Sequence, residues 1–153
     1  MTATHSSTKS LCCFCRLPKA TLNCEVCHES LCRSCTIRLN EEAFALRSNK
    51  SEVLSHSEYC PRCYDTHVEP ELVTYREILE RAKEVGFWPK SYRGHVPVLK
   101  KARTDLVVEQ GQDRDSVLLK LGFMAAELGF NGLIHGELTS RKVRTDGTRK
   151  GYQ

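Results

Sequence analysis

The chain has 153 residues, enough for one domain or two small ones, and its 23 Lys and Arg against 19 Asp and Glu leave a formal charge of only +4. That mild excess gives no strongly basic body for nucleic acid. No apolar run approaches the roughly 20 residues a membrane helix needs, so no membrane insertion is expected. The residue that stands out is cysteine, with nine copies.

Residues 1–10 are rich in Ser and Thr, lack a secretory core and read as a disordered tail. His5 there reads as an idle tail residue. From Cys12 onward eight cysteines form four pairs with two residues between the members: Cys12 and Cys15, Cys24 and Cys27, Cys32 and Cys35, Cys60 and Cys63. A two-residue gap lets both sulfurs reach one ion from a tight turn, and tetrahedral Zn²⁺ takes four thiolates at about 2.3 Å. Eight ligands therefore imply two structural Zn²⁺ ions. The spacing suits metal rather than disulfides, and a reducing, cytoplasmic compartment would keep the thiolates free.

Two pairings are open. Consecutive pairing would give two zinc ribbons in series. Alternate pairing would place Cys12, Cys15, Cys32 and Cys35 on one ion and Cys24, Cys27, Cys60 and Cys63 on the other. Only His28 to Leu31 separate the second and third pairs, so those pairs serve different ions only if the backbone passes between the sites, and this favours the interleaved arrangement. Cys13 competes with Cys12 as a ligand, and the spacing of the other pairs favours Cys12. His28 and His67 lie near cysteines, but eight sulfurs already fill two tetrahedra.

The order of these pairs resembles the cross-brace zinc fingers, the FYVE, RING and PHD modules, over residues 12–63. The unit Cys24-x-x-Cys27-x4-Cys32-x-x-Cys35 is closest to the FYVE type. The stretch Leu22-Asn23-Cys24-Glu25 lacks the basic run of the FYVE lipid signature, so phosphoinositide binding is not carried over. The RING likeness rests on Cys60-Pro61-Arg62-Cys63 and on Phe14, an apolar residue inside the first pair, and it implies E3 ubiquitin ligase activity as an alternative to a protein-interaction role.

The finger spans 11–68 in this reading. Thr36 to Leu46 shows an apolar stripe of Ile37, Phe44 and Ala45 with Leu39, Ala43 and Leu46 that predicts a helix packed on the zinc knuckles. Arg47 to Ser57 reads as a polar loop with His56 facing solvent. From Cys12 to Val68 seven Lys or Arg balance seven Asp or Glu. Two tetrathiolate zinc sites would add −2 each, so the finger is acidic and protein partners suit it better than phosphate backbones.

Residues 69–93 form a linker helix and aromatic stop. Leu72, Tyr75, Leu79 and Ala82, with Ile78 and Val85 beside them, predict a helix over Glu71 to Val85, ended by Gly86 in the left-handed conformation. Phe87-Trp88-Pro89 stops it, and Trp88 reads as a plug for a core or seam.

Residues 94–153 contain no cysteine and predict a small α/β domain. Val96 to Glu109 reads as a strand or hairpin. Asp113 or Asp115 caps a helix to Leu128, with Val117, Leu121, Met124 and Leu128 on its apolar face and Gly129 at its end. Leu133 to Val143 reads as a strand, and Asp146-Gly147 as a hairpin turn leading to a last strand at 149–153. This β-α-β-β order, with Met124-Ala125-Ala126-Glu127-Leu128-Gly129-Phe130-Asn131-Gly132-Leu133-Ile134, resembles the YbjQ-like domains. That resemblance implies ring-forming self-association, hence a homo-oligomer, and heavy-metal binding. His95 and His135 alone offer metal ligands in this half, and His135 reads as a structural or surface residue. The terminal hairpin gathers Arg141, Lys142, Arg144, Arg149 and Lys150, which suits a solvated edge or a nucleic-acid patch.

The overall expectation is an α+β protein and a zinc-stabilised adaptor or scaffold, without catalytic residues or an organic cofactor. No G-x-S-x-G, phosphate-cradling loop or H-E-x-x-H is present. A tetrathiolate zinc has no open coordination position for chemistry.

Overall fold

The computed structural model describes residues 10–140. Residues 1–9 of the expected disordered tail and the basic hairpin beyond Ser140 lie outside the described residues, while the Ser10 carbonyl accepts the Ala20 N–H at 3.1 Å. The architecture is α+β, with small two-stranded sheets and two long helices.

The cysteine-rich part is built from short antiparallel pairs. β1 (Leu22–Asn23) pairs with β2 (Ser30–Leu31), and β3 (Ile37–Arg38) pairs with β4 (Glu58–Tyr59). The helix expected over Thr36 to Leu46 is absent. Residues 37–38 are drawn into β3, and 41–46 follow as successive turns. Most of the apolar residues nonetheless face inward, with Phe44 buried and Leu39, Ala43 and Leu46 packed beside it, whereas Ala45 is exposed. A side-chain stripe thus reported burial correctly, while pairing with β4 decided the backbone.

A single turn, α1 (Pro61–Cys63), opens a helical run that continues through a wider turn at Tyr64–Val68 into α2 (Glu69–Lys83). The expected division between residues 68 and 69 lies within this run. Leu72, Tyr75, Ile78 and Ala82 form the buried face of α2. Gly86 is not the left-handed terminator: it begins β5 (Gly86–Pro89), and Gly129 is the only glycine with positive φ among the described residues.

Residues 96–109, expected as a strand, have no regular structure, and Leu99 and Val107 are exposed. An apolar run without a partner edge has nowhere to put its backbone hydrogen bonds as a strand. The strand that precedes the next helix is instead β5, made from the supposed aromatic stop. α3 (Arg114–Glu127) begins with a capping box in which Asp113 accepts from the Ser116 N–H at 2.7 Å. It ends at Gly129, φ 82°, where the Gly129 and Phe130 N–H groups donate to Ala126 and Ala125 oxygens at 3.0 and 2.8 Å, a Schellman arrangement. β6 (Gly132–Gly136) then lies parallel to β5, so the expected strand from Leu133 is shorter than predicted within the described residues. Trp88 packs over Gly86 and Gly132, where a Cβ on Gly132 would stand 2.8 Å from the ring, so the indole fills a seam between the strands. His135 is exposed, with φ 57°, at the irregular end of this pairing.

The buried face of α3 is Gly122, Phe123, Ala125 and Ala126, not the predicted Val117, Leu121, Met124 and Leu128 stripe, and Leu128 is exposed. Gly122 explains the rotation. A Cβ there would lie 2.7 Å from the Ala82 carbonyl oxygen, so the small residues let α3 approach α2 at backbone contact. One continuous core results, running from Phe44, Leu54 and Tyr59 through Val68, Leu72, Tyr75, Ile78 and Ala82 to Phe123 and Ala126. Arg47 fastens its edge: the guanidinium meets Glu71 at 2.6 Å and Glu127 at 3.5 Å and lies over the Phe44 ring.

Candidate metal centre

Each cysteine pair closes the same backbone turn. The N–H of the residue after the second cysteine donates to the carbonyl of the first: Arg16 to Cys12 at 3.0 Å, His28 to Cys24 at 2.8 Å, Thr36 to Cys32 at 3.1 Å and Tyr64 to Cys60 at 2.9 Å. In the first two turns the donor sits in the left-handed region, Arg16 and His28 both at φ 61°. That conformation costs a residue with a side chain about 1–2 kcal/mol. In the last, Tyr64 stays right-handed and leads into the wider helical turn.

These turns bring the eight sulfurs into two groups, Cys12, Cys15, Cys32 and Cys35 in one and Cys24, Cys27, Cys60 and Cys63 in the other, each with all its sulfurs within 4.8 Å of one another. The groups are interleaved along the chain, first pair with third and second with fourth, as a cross-brace zinc finger requires. The connection between the second and third pairs contains β2, which hydrogen-bonds to β1 and accepts the Cys13 N–H on Ser30. Leu31 on that strand is completely buried among the cysteines. The backbone therefore does pass between the groups, through the narrow gap that favoured this pairing.

The geometry tests what the groups would hold. Sulfurs at about 2.3 Å from a tetrahedral zinc lie about 3.8 Å apart. Cys15 and Cys32 sulfurs are 3.8 Å apart, and those of Cys27 and Cys60 are 3.9 Å apart. All nine cysteines are free thiols, and these separations far exceed the roughly 2.05 Å of a disulfide. Two four-cysteine groups of this size are consistent with two structural Zn²⁺ sites.

The electrostatics agree. The Cys12 thiol is drawn down to about 6, chiefly by the Cys15 N–H, against the effect of burial and with help from the Cys32 and Phe14 N–H groups. For Cys24, burial is outweighed by the N–H groups of Cys27, Cys60 and Val26, and the thiol falls to about 7. Backbone donors thus favour a thiolate in each group, and in the first group Cys32 is lowered as well, against burial, by the Cys35 side chain and N–H. The crowding of four sulfurs does the reverse elsewhere: Cys35 is pushed up to about 12 by its bond to Cys32 and then by burial, and Cys63 is raised by burial and by Cys60. A divalent cation removes that conflict by stabilising every thiolate at once.

Cys13 belongs to neither group, which leaves Cys12 in the ligand position. Burial and the neighbouring Glu29 push the Cys13 thiol up to about 11. His28 and His67 are exposed and outside both groups, and His56 turns to Glu25, 3.7 Å away, rather than to solvent alone. Glu25, inside the second pair, accepts the Ser57 and Glu58 N–H groups and so ties that turn to β4. The cysteine spacing did not reveal this brace, because nothing local marks an acidic side chain whose partners lie beyond residue 55.

A groove of about 330 Å³ lies between the first and fourth pairs, lined by Cys13, Phe14, Glu29, Pro61, Arg62 and Asp65. Phe14 is 62% exposed, and Leu11 and Leu17 flank it, also exposed. No helix among the described residues is long and apolar enough to cross a membrane. No family model matches the sequence, and no curated protein or solved structure matches it either.

Proposed function

We propose that this chain is a zinc-stabilised protein-interaction module, an adaptor or scaffold in which Cys12, Cys15, Cys32 and Cys35 hold one Zn²⁺ and Cys24, Cys27, Cys60 and Cys63 hold the other. The observation that carries it is the matched pair of four-sulfur groups at zinc spacing. Bound zinc supplies a rigid cross-link where the apolar interior is thin, and four sulfurs around each ion leave no position for a substrate. The cysteines hold the ions, Leu31 excludes water between them, and the N–H groups around Cys12 and Cys24 stabilise the thiolates.

The exposed Phe14, together with Pro61, forms the apolar part of the groove, with Glu29 and Asp65 against the single cation Arg62 in its lining. With two dianionic zinc centres beneath it, this face favours a protein segment with apolar and basic side chains over a phosphate backbone. Zinc-held thiolates suit a reducing compartment such as the cytoplasm, which is the location this reading supports. The test is retention of a defined protein partner by the zinc-loaded chain, lost with Phe14→Asp and after chelation. Binding that survives both treatments, or no partner under any condition, contradicts the module reading.

A second reading is RING-like ubiquitin ligase activity. It is favoured by the placement of Phe14 and Pro61-Arg62, from separate pairs, on one groove between the two sulfur groups. Chain formation with a panel of conjugating enzymes, abolished by Phe14→Ala, would support it. Inactivity across the panel would exclude it.

A further inference from the structure

The fourth cysteine pair is where the metal centre meets the rest of the fold. Cys60 caps the helical run, its sulfur accepting the Cys63 N–H at 3.3 Å and its carbonyl the Tyr64 N–H at 2.9 Å. The residue before it, Tyr59, is fully buried, and its hydroxyl donates to the Val53 and His56 carbonyls at 2.6 and 3.0 Å. One turn beyond Cys63, Val68 is fully buried and begins the row Leu72, Tyr75, Ile78 and Ala82 that packs on Phe123 and Ala126 of α3. The second pair is joined to the same place by the Glu25 N–H, which donates to the Glu58 carbonyl at 3.0 Å, and by the Glu25 carboxylate.

The other sulfur group touches this region through its third pair, where Thr36 leads into β3 and Ile37 lies opposite Tyr59, but neither of its pairs opens a helix. The backbone bonds around its first pair run from Cys12 to Leu17, from Cys13 to Ser30 and from Ala20 to Ser10, all inside the finger. Cysteines of both groups share one buried cluster with Leu31, Ala20 and Leu22, and Val26, inside the second pair, packs against both that cluster and the main core.

We propose that the two centres differ in reach: the ion held by Cys24, Cys27, Cys60 and Cys63 organises the hydrophobic core as far as α3, whereas the ion held by Cys12, Cys15, Cys32 and Cys35 orders its own loops and β3 but not the helices. This rests on the zinc reading above. Emptying the first of these centres leaves crowded thiols at the start of the helix. The turn that fixes Tyr59 and Val68 then frays, and the frayed run reaches Phe123 through Leu72 and Tyr75. Metal occupancy at one end of the molecule thereby sets the order of a surface at the other.

The experiment compares the full-length zinc-loaded chain with Cys24→Ser and Cys63→Ser on one side and Cys12→Ser and Cys35→Ser on the other. Bound zinc is counted, and amide exchange is followed in residues 69–83 and 114–127. Each variant is expected to lose one ion. Cys24→Ser and Cys63→Ser should speed exchange in both helices by about ten-fold or more, while Cys12→Ser and Cys35→Ser should leave it within about two-fold. Equal acceleration by both pairs, including failure of all four variants to fold, would overturn the proposal, as would unchanged helices in the first pair. A parent chain that binds no zinc sinks the zinc reading itself. Two ions without the difference in exchange sink only this inference.

Discussion

Phe44 offers a sharp test of the core, because it sits in a stretch without helix or strand and yet is only 1% exposed. Its ring meets Tyr75 edge-on with centroids 5.3 Å apart, and Arg47 lies over it at 5.7 Å. Phe44→Ala removes a fully buried aromatic side chain, which costs about 3–5 kcal/mol in transfer and cavity terms. Of that, the aromatic pair accounts for about 0.5–1.5 kcal/mol, and the cation over the ring for about 0.5–1 kcal/mol. Single domains are stable by about 5–15 kcal/mol, so the change removes a large share. With a urea dependence of about 2 kcal/mol per molar, the midpoint of the zinc-loaded chain should fall by about 1.5–2.5 M. Phe44→Leu should lose less, since it keeps most of the volume. Were residues 41–46 merely a surface loop, Phe44→Ala would shift stability by no more than about 0.5 kcal/mol, and that result would refute the continuous core.

Three further outcomes follow from the same packing. Tyr59→Phe removes the one hydroxyl proton that the part-buried Val53 and His56 carbonyls share and should cost about 1–2 kcal/mol in denaturant titration, with zinc content unchanged. Arg47→Met keeps the apolar stem over Phe44 but breaks the pairs to Glu71 and Glu127, two carboxylates that are partly exposed, so the loss should be about 1 kcal/mol and should shrink in high salt. The Ser116 N–H, then its hydroxyl, holds the Asp113 carboxyl below its ordinary 3.8. Its contribution to α3 is therefore fully present above that ordinary value and is lost as pH falls through the lowered one. Asp113→Ala should remove this acid dependence from amide exchange at residues 114–118, and an unchanged profile would show that the cap is not formed.

Sequence patterns revealed the metal centre well because metal geometry is local: two residues between cysteines fix a turn that points both sulfurs at one ion. The choice between consecutive and interleaved pairing, which the short gap only favoured, is made by the β1–β2 and β3–β4 pairings. α2 and α3 were legible for related reasons, through an apolar stripe in one and through Asp113 and Gly129 at the ends of the other. What was hidden depended on distant partners. Ile37 became strand because β4 lies beside it, and Phe87-Trp88 became strand because Gly132 and Gly136 leave space for the two rings on a strand far along the chain. The buried face of α3 was misread because hydrophobicity points to Leu121 and Leu128, while close approach to Ala82 selects Gly122, Ala125 and Ala126. Residues 96–109 show the converse, a Val- and Leu-rich run that stays irregular for want of a neighbour.

Substituting ¹¹³Cd for zinc and correlating each cadmium signal with cysteine Cβ protons reads the ligand sets directly, since thiolates retain the softer ion. The account predicts two cadmium signals, one coupled to Cys12, Cys15, Cys32 and Cys35 and the other to Cys24, Cys27, Cys60 and Cys63. A signal joining Cys15 to Cys24, a coupling to Cys13, or a chain that takes up no cadmium would contradict it.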